Sequence, residues 1–285
     1  MDNSISVYIP THNRPEMLER ALSSLVNQTY KKFQVLVCND GSYKDYDWVI
    51  DKFKNKFDDF KYVKNDLPMG ACNARNRLIY IADGEFITGL DDDDEFLPSR
   101  LEDFVSFPSI NNYSFLCAGH YTKSTKGTFR QKGHEGEITL ADLLSKNIVG
   151  NQVFVRTSFF RESGGFDERF QSWQDYDAWV SLVKSFGHGF KIQKHNYQLN
   201  IDHEEGRISN SPKAIQGYEF FLEKYKDILT DKNLCSLYIQ DKINRNDSIP
   251  PAWVMEHLSL EMAKTVVKYG LKKMFPGLKE WIYKK

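Results

Sequence analysis

The sequence is short of cysteine, of net charge and of long apolar runs. Its four cysteines, Cys38, Cys72, Cys117 and Cys235, are scattered. They show none of the spacings that zinc or redox sites use, so they read as reduced, buried, small apolar residues of a cytosolic protein. A formal net charge of −1 argues against general nucleic-acid binding, which needs a basic surface. No uninterrupted apolar stretch is long enough to span a bilayer. Met1-Asp2-Asn3-Ser4 runs straight into a strand-like segment, so no signal peptide is expected. Internal repeats and low-complexity tracts are missing too. At 285 residues the chain can bury a sizeable core, as one large domain or one domain plus an appendage.

What the chain does have is a run of acids. Gly89-Leu90-Asp91-Asp92-Asp93-Asp94-Glu95 ends an apolar, strand-like stretch that starts at Glu85. Like charges packed this closely cost free energy unless a cation or solvent offsets them. At a strand end Asp91 and Asp93 point one way and Asp92 and Asp94 the other, because side chains alternate. An all-oxygen set of this kind suits Mg²⁺ or Mn²⁺, particularly an ion that also binds phosphate. A solvated acidic loop is the plain alternative. An EF-hand loop is excluded by Phe96, which stands where its turn glycine is required.

Upstream, residues 5–9 read as a short buried strand followed by Pro10-Thr11-His12-Asn13-Arg14. Pro15 then opens a helix with Leu18, Leu22, Leu25 and Val26 at helical spacing. A second strand, 33–38, ends in Asn39-Asp40-Gly41-Ser42, and a third, 60–63, leads to Gly70 and a helix through Ile81. Strand and helix alternate up to the acidic run, which predicts a parallel sheet with helices on its faces. Ligands of such sheets bind beyond the carboxyl ends of the strands. Pro10, Thr11, Asp40 and the acidic run all fall there.

The runs Ser6-Val7-Tyr8-Ile9-Pro10-Thr11-His12-Asn13-Arg14, Asn39-Asp40-Gly41-Ser42, Ala74-Arg75-Asn76 and Leu90-Asp91-Asp92-Asp93-Asp94 closely resemble glycosyltransferase family 2. Members of that family are inverting enzymes with the GT-A fold that use nucleotide-sugar donors. The resemblance continues through Gly164-Gly165-Phe166-Asp167-Glu168 and Gln174-Asp175-Tyr176-Asp177-Ala178-Trp179 to about residue 210. Several motifs in order on suitable elements carry more than any one of them. The resemblance implies an α/β fold of GT-A type, a Rossmann-like, mostly parallel central sheet flanked by helices. Residues 1–100 would form the nucleotide-sugar-binding half, 101–210 the acceptor-binding half, and 211–285 a helical extension.

By the same resemblance, Pro10, Thr11, Asn13, Arg14, Asp40, Arg75, Asp91 and Asp92 are expected at the nucleotide sugar. Pro10 and Thr11 offer backbone and hydroxyl contacts to the nucleoside, although a proline after a strand can simply end it. Asp40 either accepts the N3–H of uracil or satisfies local turn amides. Arg75 pairs with the diphosphate, pairs with the acidic run, or lies on a helix surface. Asp91 faces ribose or metal, Asp93 is the leading ligand for Mn²⁺ or Mg²⁺, and the extra acids leave the register open. His203 is a further candidate for the metal or a phosphate, with a plain surface histidine as the alternative.

In the second half a helix is expected to begin near Asp175, with Trp179, Leu182 and Val183 at helical spacing. Asp175 and Asp177 fall in its first turn, where carboxylates are favoured and where one of them can be merely an N-cap. The family places its general base at the aspartate after an acidic residue in this motif, which implies Asp175. This chain departs from the pattern by having Gln174 in place of that acid. Trp173 and Asp177 are expected on the acceptor side, Trp173 stacking on a sugar ring or packing in the core. Residues 212–285 read as helices. Leu258, Met262, Val266, Val267, Leu271, Met274 and Phe275 are interleaved with Lys264, Lys268, Lys272, Lys273 and Lys279, ahead of Trp281 and Tyr283. Such an amphipathic basic helix suits an anionic membrane surface or ordinary packing against the protein.

The function expected is an inverting, metal-dependent glycosyltransferase. It would move a hexose or N-acetylhexosamine from a UDP-sugar to a saccharide acceptor, lipid-linked, in surface-polysaccharide or O-antigen synthesis. The expected location is the cytoplasm, at the inner face of the cytoplasmic membrane if the basic helix docks there. A sugar nucleotidyltransferase shares the sheet and metal logic, but no glycine-rich basic loop follows the first strand to cradle a triphosphate. A catalytically inactive saccharide-binding relative is the alternative of another class, and Asp91, Asp93 and Asp175 argue against it.

Overall fold

The computed structural model describes residues 4–274, apart from 126, 132, 151, 202–213 and 258. These residues fall into two compact units. The larger takes the chain to Leu143, Asn147–Phe170, and Gln174 to the end of the last strand. The smaller takes Leu144–Lys146, Gln171–Trp173 and the helices from Ala214 onward.

The larger unit runs β1 (Ile5–Thr11), α1 (Pro15–Val26), β2 (Phe33–Asp40), α2 (Asp47–Phe53), β3 (Asp59–Asn65), α3 (Ala71–Ile81), β4 (Phe86–Gly89), β5 (Glu95–Phe96) and α4 (Arg100–Val105). It continues with β6 (Phe115–Ser124), β7 (Gly127–Arg130), β8 (Gly136–Ile138), α5 (Leu140–Ser145), β9 (Phe154–Arg156), α6 (Thr157–Glu162), α7 (Gln174–Phe186) and β10 (Gly189–Asn200). All the strands join one sheet in the order β3-β2-β1-β4-β9-β6-β10-β5, with β7 on β6 and β8 on β10. β3, β2, β1 and β4 are parallel, as are β6 and β10; antiparallel β9 is the splice between the two sets.

β1 and β2 are buried along their whole length, which is why they read as near-continuous apolar runs. α1 lays Leu18, Ala21, Leu22 and Leu25 on Val7, Ile9, Val35 and Val37, with Pro15 at its first position. Pro10 sits inside β1 without breaking it. The Tyr8 carbonyl points toward β4 and accepts from Leu90 N–H at 3.0 Å. The Pro10 nitrogen points the same way two residues on, where β4 has already ended, so no ladder bond is lost.

The smaller unit carries α8 (Ala214–Tyr225), α9 (Asp231–Asn244), α10 (Pro251–His257) and α11 (Leu260–Met274). Thr230 caps α9 reciprocally: Asn233 N–H donates to its hydroxyl at 3.3 Å, and Thr230 N–H donates to Asn233 Oδ1 at 2.9 Å. α11 buries Met262 and Tyr269 and exposes Val267, Leu271 and Met274. The expected Leu258, Phe275, Lys279, Trp281 and Tyr283 lie outside the described residues. Among those described, no helix is long and apolar enough to cross a membrane.

Candidate active site

β1, β2, β3 and β4 end at Thr11, Asp40, Asn65 and Gly89, so the loops that follow emerge together at one edge of the sheet. Asp40 organises the one that follows β3. Its carboxylate accepts from Asn65 Nδ2 at 2.7 Å and from the backbone N–H groups of Met69 and Gly70 at 2.8 Å each. Asp40 thereby pins the loop that starts α3. Gly41, at φ +63°, lets that loop approach, since a Cβ there would stand 2.3 Å from the Leu67 carbonyl carbon. A carboxylate has about four acceptor positions, and these contacts use three of them.

The acidic run is a turn and not an extension of β4. Asp94 N–H donates to the Asp91 carbonyl at 3.0 Å. The turn differs in how far it buries its carboxylates. The Asp91 and Asp93 side chains are 21% and 22% exposed, whereas Asp92 and Asp94 are buried. Arg14 Nη2 lies 2.6 Å from Asp92 and Nη1 3.4 Å from Asp93. Burial pushes the Asp92 carboxyl up to about 7, against the pull of Arg14 and the Thr11 hydroxyl. Asp94 is likewise raised, by burial and then by Asp93 and Asp91. It accepts from Tyr197 Oη and from Asn200 N–H, both at 2.8 Å, while Asn200 Nδ2 donates to the Asp93 carbonyl at 2.9 Å. The acidic turn is thus clamped to the end of β10. Beneath it Arg100, fully buried, stacks on Phe96, Phe104 and Tyr197 and donates to Asn196 Oδ1 at 2.8 Å.

Arg75 joins this turn to α7. It donates to Asp91 at 2.9 Å and to Asp175 at 3.1 Å, with its guanidinium 5.0 Å from the Phe166 ring centre. Burial alone would lower its pKa; Asp175 and Asp91 outweigh that and hold it charged. Burial is also the larger influence on Asp175. It raises that carboxyl to about 6 against Arg75, with Asp91 adding to the rise. Gln152, buried, accepts from Tyr8 Oη at 3.0 Å and donates to Asp91 at 3.1 Å. Asn76 clamps the glycine-rich turn before α7, donating to Phe166 O at 2.7 Å and accepting from Phe166 N–H at 2.8 Å.

The other expected residues are placed as follows. The Thr11 hydroxyl is buried and bonded to Tyr46 Oη at 2.9 Å. Asp92 faces Arg14 inside the turn, and Arg14 is committed to Asp92 and Asp93. Asp177 is buried in the first turn of α7. Trp173, half-buried, packs on Tyr218 and Phe221 and holds a left-handed φ of 64°. Asn13 is left-handed as well, its N–H donating to Ser42 Oγ at 2.8 Å. His203 lies outside the described residues. Gln152, Asn65, Asn76, Tyr197 and Asn200 were not anticipated. The one available signal was a polar Gln152 within an apolar run leading into β9.

Among the described residues no group of three or more His, Cys, Asp or Glu side chains forms a cage for a metal ion. Asp91 and Asp93, part-exposed and paired with Arg75 and Arg14, are the oxygen-only ligands the turn leaves within reach of solvent. Such a set fits a hard cation that completes its shell on substrate phosphate and water.

The model of the family described as Glycosyl transferase family 2 matches residues 6–170. The chain belongs to that family. It is a glycosyltransferase, which sets the nucleotidyltransferase alternative aside. It is 33% identical over 232 residues to the putative colanic acid biosynthesis glycosyl transferase WcaA of Escherichia coli, covering 78% of this chain and 81% of that protein. It is 30% identical over 230 residues to the GalNAc(5)-diNAcBac-PP-undecaprenol beta-1,3-glucosyltransferase of Campylobacter jejuni, covering 78% and 73%. The crystal structure of S. aureus TarS 1-349 in complex with UDP-GlcNAc matches it with a TM-score of 0.67 over 93% of this chain and 79% of that one. At 18% identity that last likeness concerns the fold, which is of GT-A type. In this glycosyltransferase, then, the family motifs converge on a cleft where Arg75 ties the acidic turn to the first turn of α7.

Proposed function

We propose that the chain is an inverting transferase that moves a hexose or N-acetylhexosamine from a UDP-sugar to a lipid-linked saccharide, with Asp175 as general base. The observation that carries this reading is the Arg75 bridge between Asp91 and Asp175, with Asp175 raised to about 6. A base with that pKa is deprotonated at neutral pH and still takes up a proton readily. The acceptor hydroxyl attacks the anomeric carbon, its proton passes to the Asp175 carboxylate, and the bond to the diphosphate breaks with its electron pair leaving on UDP. Attack from the side opposite the leaving group inverts the centre. Asp40 receives the uracil N3–H at its remaining acceptor position, and Arg75, besides holding the base, adds positive charge beside Asp91.

Asp93, with Asp91 beside it, would hold Mn²⁺ or Mg²⁺, and a cation bound there offsets charge on the departing diphosphate. The lipid-linked acceptor draws on the undecaprenol-linked substrate named for the Campylobacter relative. The exposed Val267, Leu271 and Met274 of α11, with Lys264, Lys268 and Lys273 on the same helix, suit the cytoplasmic membrane surface where such an acceptor resides.

Incubation with UDP-glucose or UDP-GlcNAc and Mn²⁺ tests this reading. UDP release without pyrophosphate supports it. Failure to bind or hydrolyse any UDP-sugar would point to an inactive saccharide-binding relative.

A further inference from the structure

A small pocket that gathers a lysine and two imidazoles lies on the same face and edge of the sheet as the site above. It is a cavity of about 40 Å³ where Gly119 and His120 of β6 meet Lys191 and His195 of β10, roofed by Gln131 and Gly133 from the β7–β8 connection. The register fixes its position. Thr88 of β4 is level with Phe154 of β9, which is level with Leu116 of β6, which is level with Phe190 of β10. Lys191 and Gly119 are therefore at the height of residues 89–91. β6 and β10 lie two and three strands from β4, which is about 10–14 Å at ordinary strand spacing. Alternation puts Lys191 and Cys117 on the sheet face shared by Gly89 and Tyr8.

The chemistry of the pocket is that of an anion site. Lys191 is buried, with no carboxylate at ion-pair distance among the described residues. Its ammonium donates to Ile148 O at 2.9 Å and Val149 O at 3.1 Å. An ammonium has three donors, so one remains, and an uncompensated buried charge favours an anionic partner. The His120 ring, half-buried, has no hydrogen-bond partner among the described residues. Burial, then Lys191, His195 and Arg100, lower its pKa to about 4, so it offers a neutral N–H. His195 Nε2 lies 2.9 Å from Gln131 O and 3.3 Å from Arg130 Nε. Gly119 is required for this arrangement, because a Cβ there would stand 2.5 Å from the His195 ring. The acid at the rim, Glu135, is exposed. Ile148 and Val149, which receive the Lys191 ammonium, lie three to four residues from Gln152, which donates to Asp91.

We propose that this pocket receives a phosphate group of the acceptor, and so selects saccharides linked to lipid through a phosphate or diphosphate. The proposal rests on the transferase reading given above, and its test is arranged to fail separately from it. In the full-length protein, titration with inorganic phosphate in the presence of EDTA and saturating UDP should shift the imidazole NMR signals of His120 and His195. Those shifts should persist in Asp93→Ala and vanish in Lys191→Met. Since Lys191→Met removes a buried side chain, His120→Phe serves as the second variant and should weaken phosphate binding at least fivefold with an unchanged melting temperature. With acceptors, Lys191→Met should raise KM about tenfold for a diphosphate-linked saccharide and leave KM for the same saccharide without phosphate, and for the donor, unchanged. Phosphate shifts that are missing, or that vanish in Asp93→Ala instead, overturn the proposal. So does an equal rise in KM for both acceptors. Failure of UDP-sugar turnover in the wild type would overturn the transferase reading, while the phosphate titration would still decide the pocket.

Discussion

Asp175 and Arg75 together set how the reaction responds to pH. With burial raising Asp175 to about 6 and the base needed as carboxylate, transfer should rise with pH at unit slope below about 6 and level off above it. A pH–rate profile measured at saturating substrates checks this, and a flat profile from pH 5 to 8 would place the base elsewhere. Asp93 makes a different claim. Its side chain is part-exposed and its neighbour Asp92 holds the shorter contact to Arg14. Asp93→Ala should therefore keep the melting temperature while abolishing Mn²⁺-dependent UDP affinity in titration calorimetry. Unchanged Mn²⁺–UDP affinity in that variant would refute the ligand assignment. The local sequence marks both aspartates as candidates, Asp93 by the acidic run after a strand and Asp175 by the motif at the start of α7. It did not make their partners legible. Gln152 meets Asp91 across 61 residues and Tyr197 meets Asp94 across 103, and contacts at that separation are written in the sheet topology.

Elements are where the reading from sequence was strongest and then stopped. β1 to β4 and the helices between them are foreshadowed by apolar runs and by Pro15, although β2 and β3 extend two residues past their apolar stretch, through Asp40 and Asn65. Polar residues end the periodicity while the ladder continues. The antiparallel β9 between two parallel sets left no local trace, since three residues carry too little period to detect. Gly89, at the end of β4, gives this scale its test. A Cβ there would stand 2.0 Å from Gln152 Oε1 and 2.5 Å from the Tyr8 ring. Gly89→Ala should cost about 1–3 kcal/mol of stability, as overpacking does, and should lower turnover by freeing Asp91 from Gln152. Denaturant melts with parallel kinetics check it, and wild-type values for both would mean that Gln152 does not orient Asp91.

Over the whole molecule, buried acids give stability an unusual slope with pH. Asp92 is raised to about 7, Asp175 to about 6, and Asp94 is raised as well. In the unfolded chain all three titrate near 4, so between pH 4 and 7 the folded state binds more protons than the unfolded state. Stability then falls as pH rises through that window. His120, lowered to about 4, acts in the opposite sense between about pH 4 and 6.5 but is one group against three, and Asp83, Asp142 and Asp247, also lowered, do so below about pH 4. Calorimetry without nucleotide or metal should show a melting temperature that declines from pH 5 to 7.5, with a shallower decline in Asp92→Asn. A melting temperature that rises across this range would contradict the burial of these groups. The account as a whole stands on Asp175 as the base, and Asp175→Asn addresses that claim most directly. Asparagine caps a helix about as well as aspartate, so a capping role alone predicts nearly unchanged transfer. As the base, Asp175→Asn should bind UDP-sugar near normally and lose about two to four orders of magnitude in transfer rate; transfer at close to the wild-type rate would contradict it.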